Sequence, residues 1–212
     1  MATPSTKITP DVFRAGVVEM CREAAEMLRL SRAAFLQPSS AQRQRIVELG
    51  QELHRREKRL TDQVSMQLRE APWSLGAVEQ LAFLPAALER IGDSVEALMR
   101  CEQNLVREGL AYSELAISEC MTLFGMAHEL IERVATAIRT GDRAGLAAIL
   151  ERGQQFEAFA DQVALRHQER LVRGVCVPRA SSVFLAMLDS FREIERYTRR
   201  MSLDLQRALT TS

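Results

Sequence analysis

The residues most able to do chemistry in this sequence are two carboxylates on one predicted helix. Glu89 and Asp93 are four residues apart, so a helix places them on one face, a turn apart. Like charges at this spacing destabilise an isolated helix by about 0.2–0.5 kcal/mol. A divalent cation bound to both carboxylates would reverse that cost. The alternative interpretation is a solvated acidic face that binds nothing.

The pattern around Glu89 recurs half a chain later, but without its second acid. The string Leu88-Glu89-Arg90-Ile91 resembles Ile194-Glu195-Arg196-Tyr197. Arg199 stands four residues after Glu195, and this spacing predicts an ion pair. Because a cation would meet the Arg199 charge, we expect at most one metal site per chain, in the first half.

An acid from the preceding helix, Asp62 or Glu57, is the expected further ligand beside Glu89 and Asp93. A divalent metal or iron suits such a set of oxygens. The histidines offer less, because we assign neither His54 nor His128 an acidic partner from spacing. His167 falls on an apolar helix face and is expected to be partly buried.

Motifs typical of enzymes do not occur in the sequence. It has no glycine-rich phosphate loop, no G-x-S-x-G, no H-E-x-x-H and no repeated Glu-x-x-His of di-iron bundles. We therefore expect neither catalytic residues nor enzyme activity, and no cofactor other than the metal.

Apolar residues recurring at three- and four-residue steps predict the elements that position Glu89. They form six stripes separated by Gly, Pro and capping residues, and no segment alternates like a strand. The expected N-caps are Thr9, Ser40, Asp142, and Ser181 or Ser182, whereas Pro72 to Gly76 should end the second helix and Gly141 the fourth. The clearest stripe contains Leu81, Leu84, Leu88, Ile91, Val95 and Leu98. We expect an all-α fold of six long helices, arranged as two tandem three-helix bundles at residues 1–110 and 111–212.

Composition narrows the class of protein further. The 28 basic and 28 acidic residues of the 212 give no net charge, so the basic footprint of a nucleic-acid-binding protein is missing. No run of apolar residues is long enough to span a membrane, and residues 1–8 lack the plan of a secretion signal. Four scattered cysteines indicate buried, reduced thiols, and we expect a cytoplasmic protein.

Two groups of residues resemble a known family. The string Leu88-Glu89-Arg90-Ile91-Gly92-Asp93 resembles the hallmark of PhoU-like proteins, which are two tandem three-helix bundles. The second half is similar to the PhoU-like tail domain of bacterial sodium/phosphate cotransporters. That similarity is found at His167, Arg170-Leu171, Gly174 to Cys176, Phe184-Leu185 and Ile194 to Arg196.

The resemblance implies a regulator of phosphate transport that binds a phosphate transporter, its sensor kinase, or both. It also implies a metal site at Glu89 and Asp93, whereas Thr198 and Arg199 depart from the motif in the second half. We expect a homodimer that meets the inner membrane only through a transporter. Two alternatives stay open: a structural or scaffold bundle that has lost regulation, and a bundle that binds metal through carboxylates.

Overall fold

The protein is a bundle of six long α-helices. The computed structural model describes residues 9–70 and 75–210, with side chains for 9–66 and 82–208. The helices are α1 (Pro10–Leu36), α2 (Ser40–Glu70), α3 (Leu75–Glu108), α4 (Glu114–Thr140), α5 (Arg143–Val172) and α6 (Pro178–Thr210). Since the described ranges contain no strand, the predicted all-α fold of six helices is confirmed. Residues 1–8, and much of the break predicted after α2, lie outside the described part.

Several helix ends follow the predicted capping residues. Thr9 precedes α1, and its side chain accepts a hydrogen bond from the Val12 N–H at 3.3 Å, with Pro10 in the first turn. Gly141 ends α4 in the left-handed region (φ 68°), where a side chain would be strained. Asp142 then caps α5 by accepting from the Ala144 N–H at 3.0 Å.

Two helices, α2 and α6, begin earlier than the serines predicted as their N-caps indicate. Ser40 is already the first residue of α2, and it is the Ser39 hydroxyl that accepts from the Gln42 N–H at 3.4 Å. The α6 helix begins at Pro178, before the serines at 181 and 182. Proline suits this position because its fixed φ is helical and the N–H it lacks would have no helical partner.

The helices of each half pack on one another, and two further pairs join the halves. Among the described residues α1, α2 and α3 are in mutual contact, as are α4, α5 and α6, while α1 packs on α4 and α3 on α6. A continuous cluster of buried apolar side chains runs through both halves, with Phe124 and Phe191 edge to face at 4.8 Å. The division into bundles at residues 1–110 and 111–212 stays a prediction.

The up-and-down order of the helices gathers three loops at one end of the bundle. The loops are 37–39, 109–113 and 173–177, and we call this the three-loop end. Tyr112 links them, with its ring 5.9 Å from Phe35 and 5.5 Å from Phe184. Within the described ranges, none of the helices is apolar enough over a sufficient length to cross a membrane.

Candidate functional site

A histidine and two glutamates meet where α2 packs on α3. One ligand atom of each of His54, Glu57 and Glu89 lies within 4.8 Å of the others. His54 Nδ1 is 2.5 Å from Glu89 Oε1, a contact between residues far apart in sequence. His54 is exposed, whereas both glutamates are half-buried. The arrangement offers one nitrogen and two carboxylate groups to a cation from solvent.

Two of the three residues, His54 and Glu89, line a cleft of about 300 Å³ between the two helices. The two helices approach closely at Gly92 in this cleft, since a Cβ on Gly92 would lie 3.3 Å from the Leu53 side chain. A Cβ on Gly50 would collide with the Glu96 carboxylate, which therefore needs that glycine. Burial raises the pKa of Glu96, an effect that nearby Arg100 opposes.

The structure brings together only some of the residues proposed as ligands. Glu89 and Glu57 belong to the cluster. Asp93 lines the same cleft but is largely exposed and pairs with Arg90 at 3.4 Å. Asp62 is an exposed α2 residue and is not part of the cluster. Metal binding itself stays a prediction for all of them.

His54 is the site residue that sequence reasoning missed. We gave it no acidic partner, although Glu57 stands three residues later on the same helix, and its other partner Glu89 lies on another helix. The available signal is positional: His54 follows Leu53 and Glu89 follows Leu88, and both leucines are buried in the core. A residue beside the buried stripe of one helix can meet its counterpart on an antiparallel neighbour. His128 also has a partner, Glu132 at 3.5 Å on its own helix.

The corresponding part of the second half is closed and holds a different set of charges. Arg199 Nε donates to Glu195 Oε1 at 3.1 Å, which confirms the predicted ion pair. Glu195 is only 1% exposed, and a Cβ on Gly153 would lie 2.5 Å from its Oε1. Burial raises the pKa of Glu195 to about 7; Arg199 opposes the shift, and a hydrogen bond with Glu157 adds to it. In the first half Glu89 faces His54, whereas in the second half its counterpart Glu195 faces the carboxyl of Glu157.

A second polar cluster lies near the three-loop end and is built into the core. Glu119 accepts hydrogen bonds from Arg166 Nε at 2.7 Å and Arg170 Nη2 at 2.8 Å, and both Glu119 and Arg170 are buried. His167 is also buried, as predicted, with Nε2 2.7 Å from the Ser181 hydroxyl. Burial lowers the pKa of His167, and Arg170 lowers it further. These groups join α4, α5 and α6.

The chain is similar to known proteins in one family. Residues 17–101 match the family model of the PhoU domain. A PhoU from Pseudomonas aeruginosa has the same fold, with a TM-score of 0.87 at 13% identity over 95% of this chain and 97% of that one. The phosphate transport system regulatory protein PhoU from Streptococcus pneumoniae gives 0.82 at 11% identity over 94% of each chain. No curated protein matches the sequence.

A third solved structure shares the fold less closely. A PhoU-like protein from Shewanella oneidensis covers 94% of this chain and 100% of its own, with a TM-score of 0.60 at 13% identity. The matched segment 17–101 contains both His54 and Glu89. Residues 17–101 thus match the PhoU domain, and the described helices together have the fold of PhoU proteins.

Proposed function

We propose that this protein regulates phosphate transport. The observation that carries the proposal is the PhoU domain at residues 17–101, within a fold shared over 94% of the chain with a phosphate transport system regulatory protein. The candidate residues described above form ion pairs and a cluster whose side chains are suited to bind a cation, which is consistent with a binding protein. We therefore propose regulation, without catalysis.

The proposed mechanism is a shift in the state of a partner protein. A regulator changes a transporter or a sensor kinase if it binds one of the partner's two states more tightly than the other. The six helices leave long lateral faces exposed to such partners, and the same faces make self-association into a homodimer our expectation. A scaffold bundle without regulatory effect is the alternative.

Crosslinking in the cell tests the proposed partners. The tagged full chain is expressed in the organism that encodes it, crosslinked in phosphate-rich and phosphate-starved cells, and purified under denaturing conditions. We expect a phosphate transporter subunit or its sensor kinase to be captured, in amounts that differ between the two conditions. Capture of neither, with the chain well expressed, would contradict the proposal and favour the scaffold.

We further propose that His54, Glu57 and Glu89 bind a divalent metal ion, with Asp93 beside them in the cleft. The donor set supports this, since the three ligand atoms lie within 4.8 Å of one another on two packed helices. His54 changes the expected metal: zinc and iron both accept one imidazole with carboxylates, whereas oxygen atoms alone favour harder ions. A bound ion would neutralise the carboxylate charges and tie α2 to α3.

Removal of one carboxylate tests the metal site. Glu89→Gln should abolish stoichiometric binding of zinc or iron(II), because Glu89 contacts His54 and is shared by the cluster. His54→Ala should weaken binding by about 10–100-fold, and Asp93→Ala should weaken it less. Elemental analysis after loading and dialysis measures the stoichiometry, and isothermal titration measures the affinity.

Two variants serve as controls for the metal experiment. Asp62→Asn changes an exposed carboxylate of α2 outside the cluster, and Glu195→Gln changes the second half. Both should bind metal as the unaltered chain does. Absence of stoichiometric metal from the unaltered chain would mean that the acidic face is simply solvated. Loss of metal in Glu195→Gln would show that the site lies in the second half and would contradict the proposal.

A further inference from the structure

The three-loop end exposes an unusual amount of apolar surface. Most of the large apolar side chains exposed in the described part lie at this end, at the last or first turns of helices and in the loops. They are Leu36, Val106, Leu115, Val172, Val175 and Val177. At the opposite end, Val12 and Met66 are the exposed examples among described side chains. An apolar surface confined to one end of a bundle indicates a place of contact.

The α5–α6 connection is the most prominent part of this surface. Val172, Val175 and Val177 are 88%, 62% and 53% exposed, within one short stretch. A Cβ on Gly174 would meet nothing within 4 Å, so the segment projects into solvent and does not line a groove. We call residues 172–179 the valine tip.

Hydrogen bonds to buried residues hold the valine tip in place. The Val175 N–H donates to the Arg170 carbonyl at 2.9 Å, and Arg170 is itself bound to buried Glu119. At the start of α6, Ser181 is anchored to buried His167. The valines are therefore presented in a fixed arrangement, which reduces the entropy lost when they bind.

Positive charge accompanies the apolar side chains. Residues 172–179 contain Arg173 and Arg179 and no acid, in a chain whose net charge is zero. Both arginines are exposed, and the Arg179 contact with Glu108 is long, at 3.8 Å. Elsewhere at this end, Arg43 pairs with buried Glu102 at 3.6 Å, and Glu108 and Glu114 are exposed acids. The excess of positive charge is thus confined to the valine tip.

We propose that the valine tip docks the protein directly onto a membrane with anionic lipids. A projecting set of apolar side chains can enter the boundary between headgroups and acyl chains, while flanking arginines bind the negatively charged headgroups. The charge complementarity selects this occupant, since an apolar protein pocket would not call for the arginines. The proposal is independent of phosphate regulation and of the metal site.

Vesicle flotation tests the docking. The purified full chain is mixed with vesicles of phosphatidylcholine alone or with added phosphatidylglycerol. We expect binding to the anionic vesicles only, decreasing as salt screens the arginines. Val175→Asp with Val177→Asp should reduce binding by about tenfold or more, and Arg173→Glu with Arg179→Glu should do the same.

Matched controls use the opposite end and an internal probe. Val12→Asp changes an exposed valine far from the valine tip and should leave binding unchanged. Cys176 lies between the two valines and is half-exposed, whereas Cys21, Cys101 and Cys120 are buried. A polarity-sensitive dye on Cys176 should shift to the blue on anionic vesicles.

Three results would overturn the lipid assignment. The first is no flotation with anionic vesicles at low salt, which would leave a protein as the only partner of this surface. The second is flotation that Val12→Asp reduces as much as the valine-tip variants do. The third is binding without any change in the emission of the Cys176 dye. Circular dichroism of each variant verifies that it is folded.

Discussion

Replacing Glu119 with Gln is expected to lower the free energy of unfolding by about 3–5 kcal/mol, because it leaves buried Arg170 without a counter-charge. Arg170 binds both Glu119 oxygens, at 3.2 and 2.8 Å, and Arg166 binds one of them at 2.7 Å. The Glu119 side chain is only 4% exposed, so water screens the pair poorly. Urea unfolding followed by circular dichroism measures the loss.

Glu129 provides a matched control on the same helix. It also bridges two arginines, Arg133 at 2.8 Å and Arg152 at 2.8 Å, but its side chain is 34% exposed. Glu129→Gln should therefore cost only about 0.2–1 kcal/mol. Equal losses for the two variants would contradict the role of burial, since the number of arginine partners is the same.

The second large effect is a pH dependence that Glu195 imposes on stability. Burial raises the pKa of Glu195 in the folded chain to about 7, from 4.5 for an ordinary glutamate. The folded state thus holds this proton more tightly than the unfolded state, and the resulting stability is lost as pH rises through both values. From about pH 5 to about pH 8, the free energy of unfolding should fall by about 2–3 kcal/mol through this group.

Glu195→Gln is the variant that isolates this contribution. The amide keeps the shape of the protonated carboxyl and has no charge to bury. We expect the variant to be more stable than the unaltered chain at about pH 8 and nearly equal to it at about pH 5. Urea midpoints across this range provide the measurement, with Glu193→Gln, at a half-exposed glutamate, as control. An unchanged slope in Glu195→Gln would contradict the assignment of this pH dependence to Glu195.

The helices were largely predictable from the sequence because their signals are local. Apolar residues at three- and four-residue steps indicated six helices, and Thr9, Gly141 and Asp142 marked their ends through contacts within a few residues. The start of α6 was missed because Pro178 and two serines compete for it. Proline prevails there because its backbone is already restricted to a helical φ.

The candidate sites were less predictable because they depend on contacts between helices. Nothing in the spacing of His54 identifies Glu89 as its partner; the rotation and register of α2 on α3 decide it. The burial of Glu195 likewise depends on Gly153 of α5, which lets the neighbouring helix cover the carboxylate. The repeated string gives Glu89 and Glu195 corresponding positions in the two halves, and only the packing separates an open cleft from a closed one.

Phosphate uptake in living cells tests the central claim most directly. The gene for this chain is deleted in the organism that encodes it, and uptake of labelled phosphate is measured in scarce and in plentiful external phosphate. A regulator of phosphate transport predicts that the deletion strain no longer adjusts its uptake between the two conditions, and that the full chain restores the adjustment. An adjustment of uptake identical in the deletion strain and its parent would contradict the account.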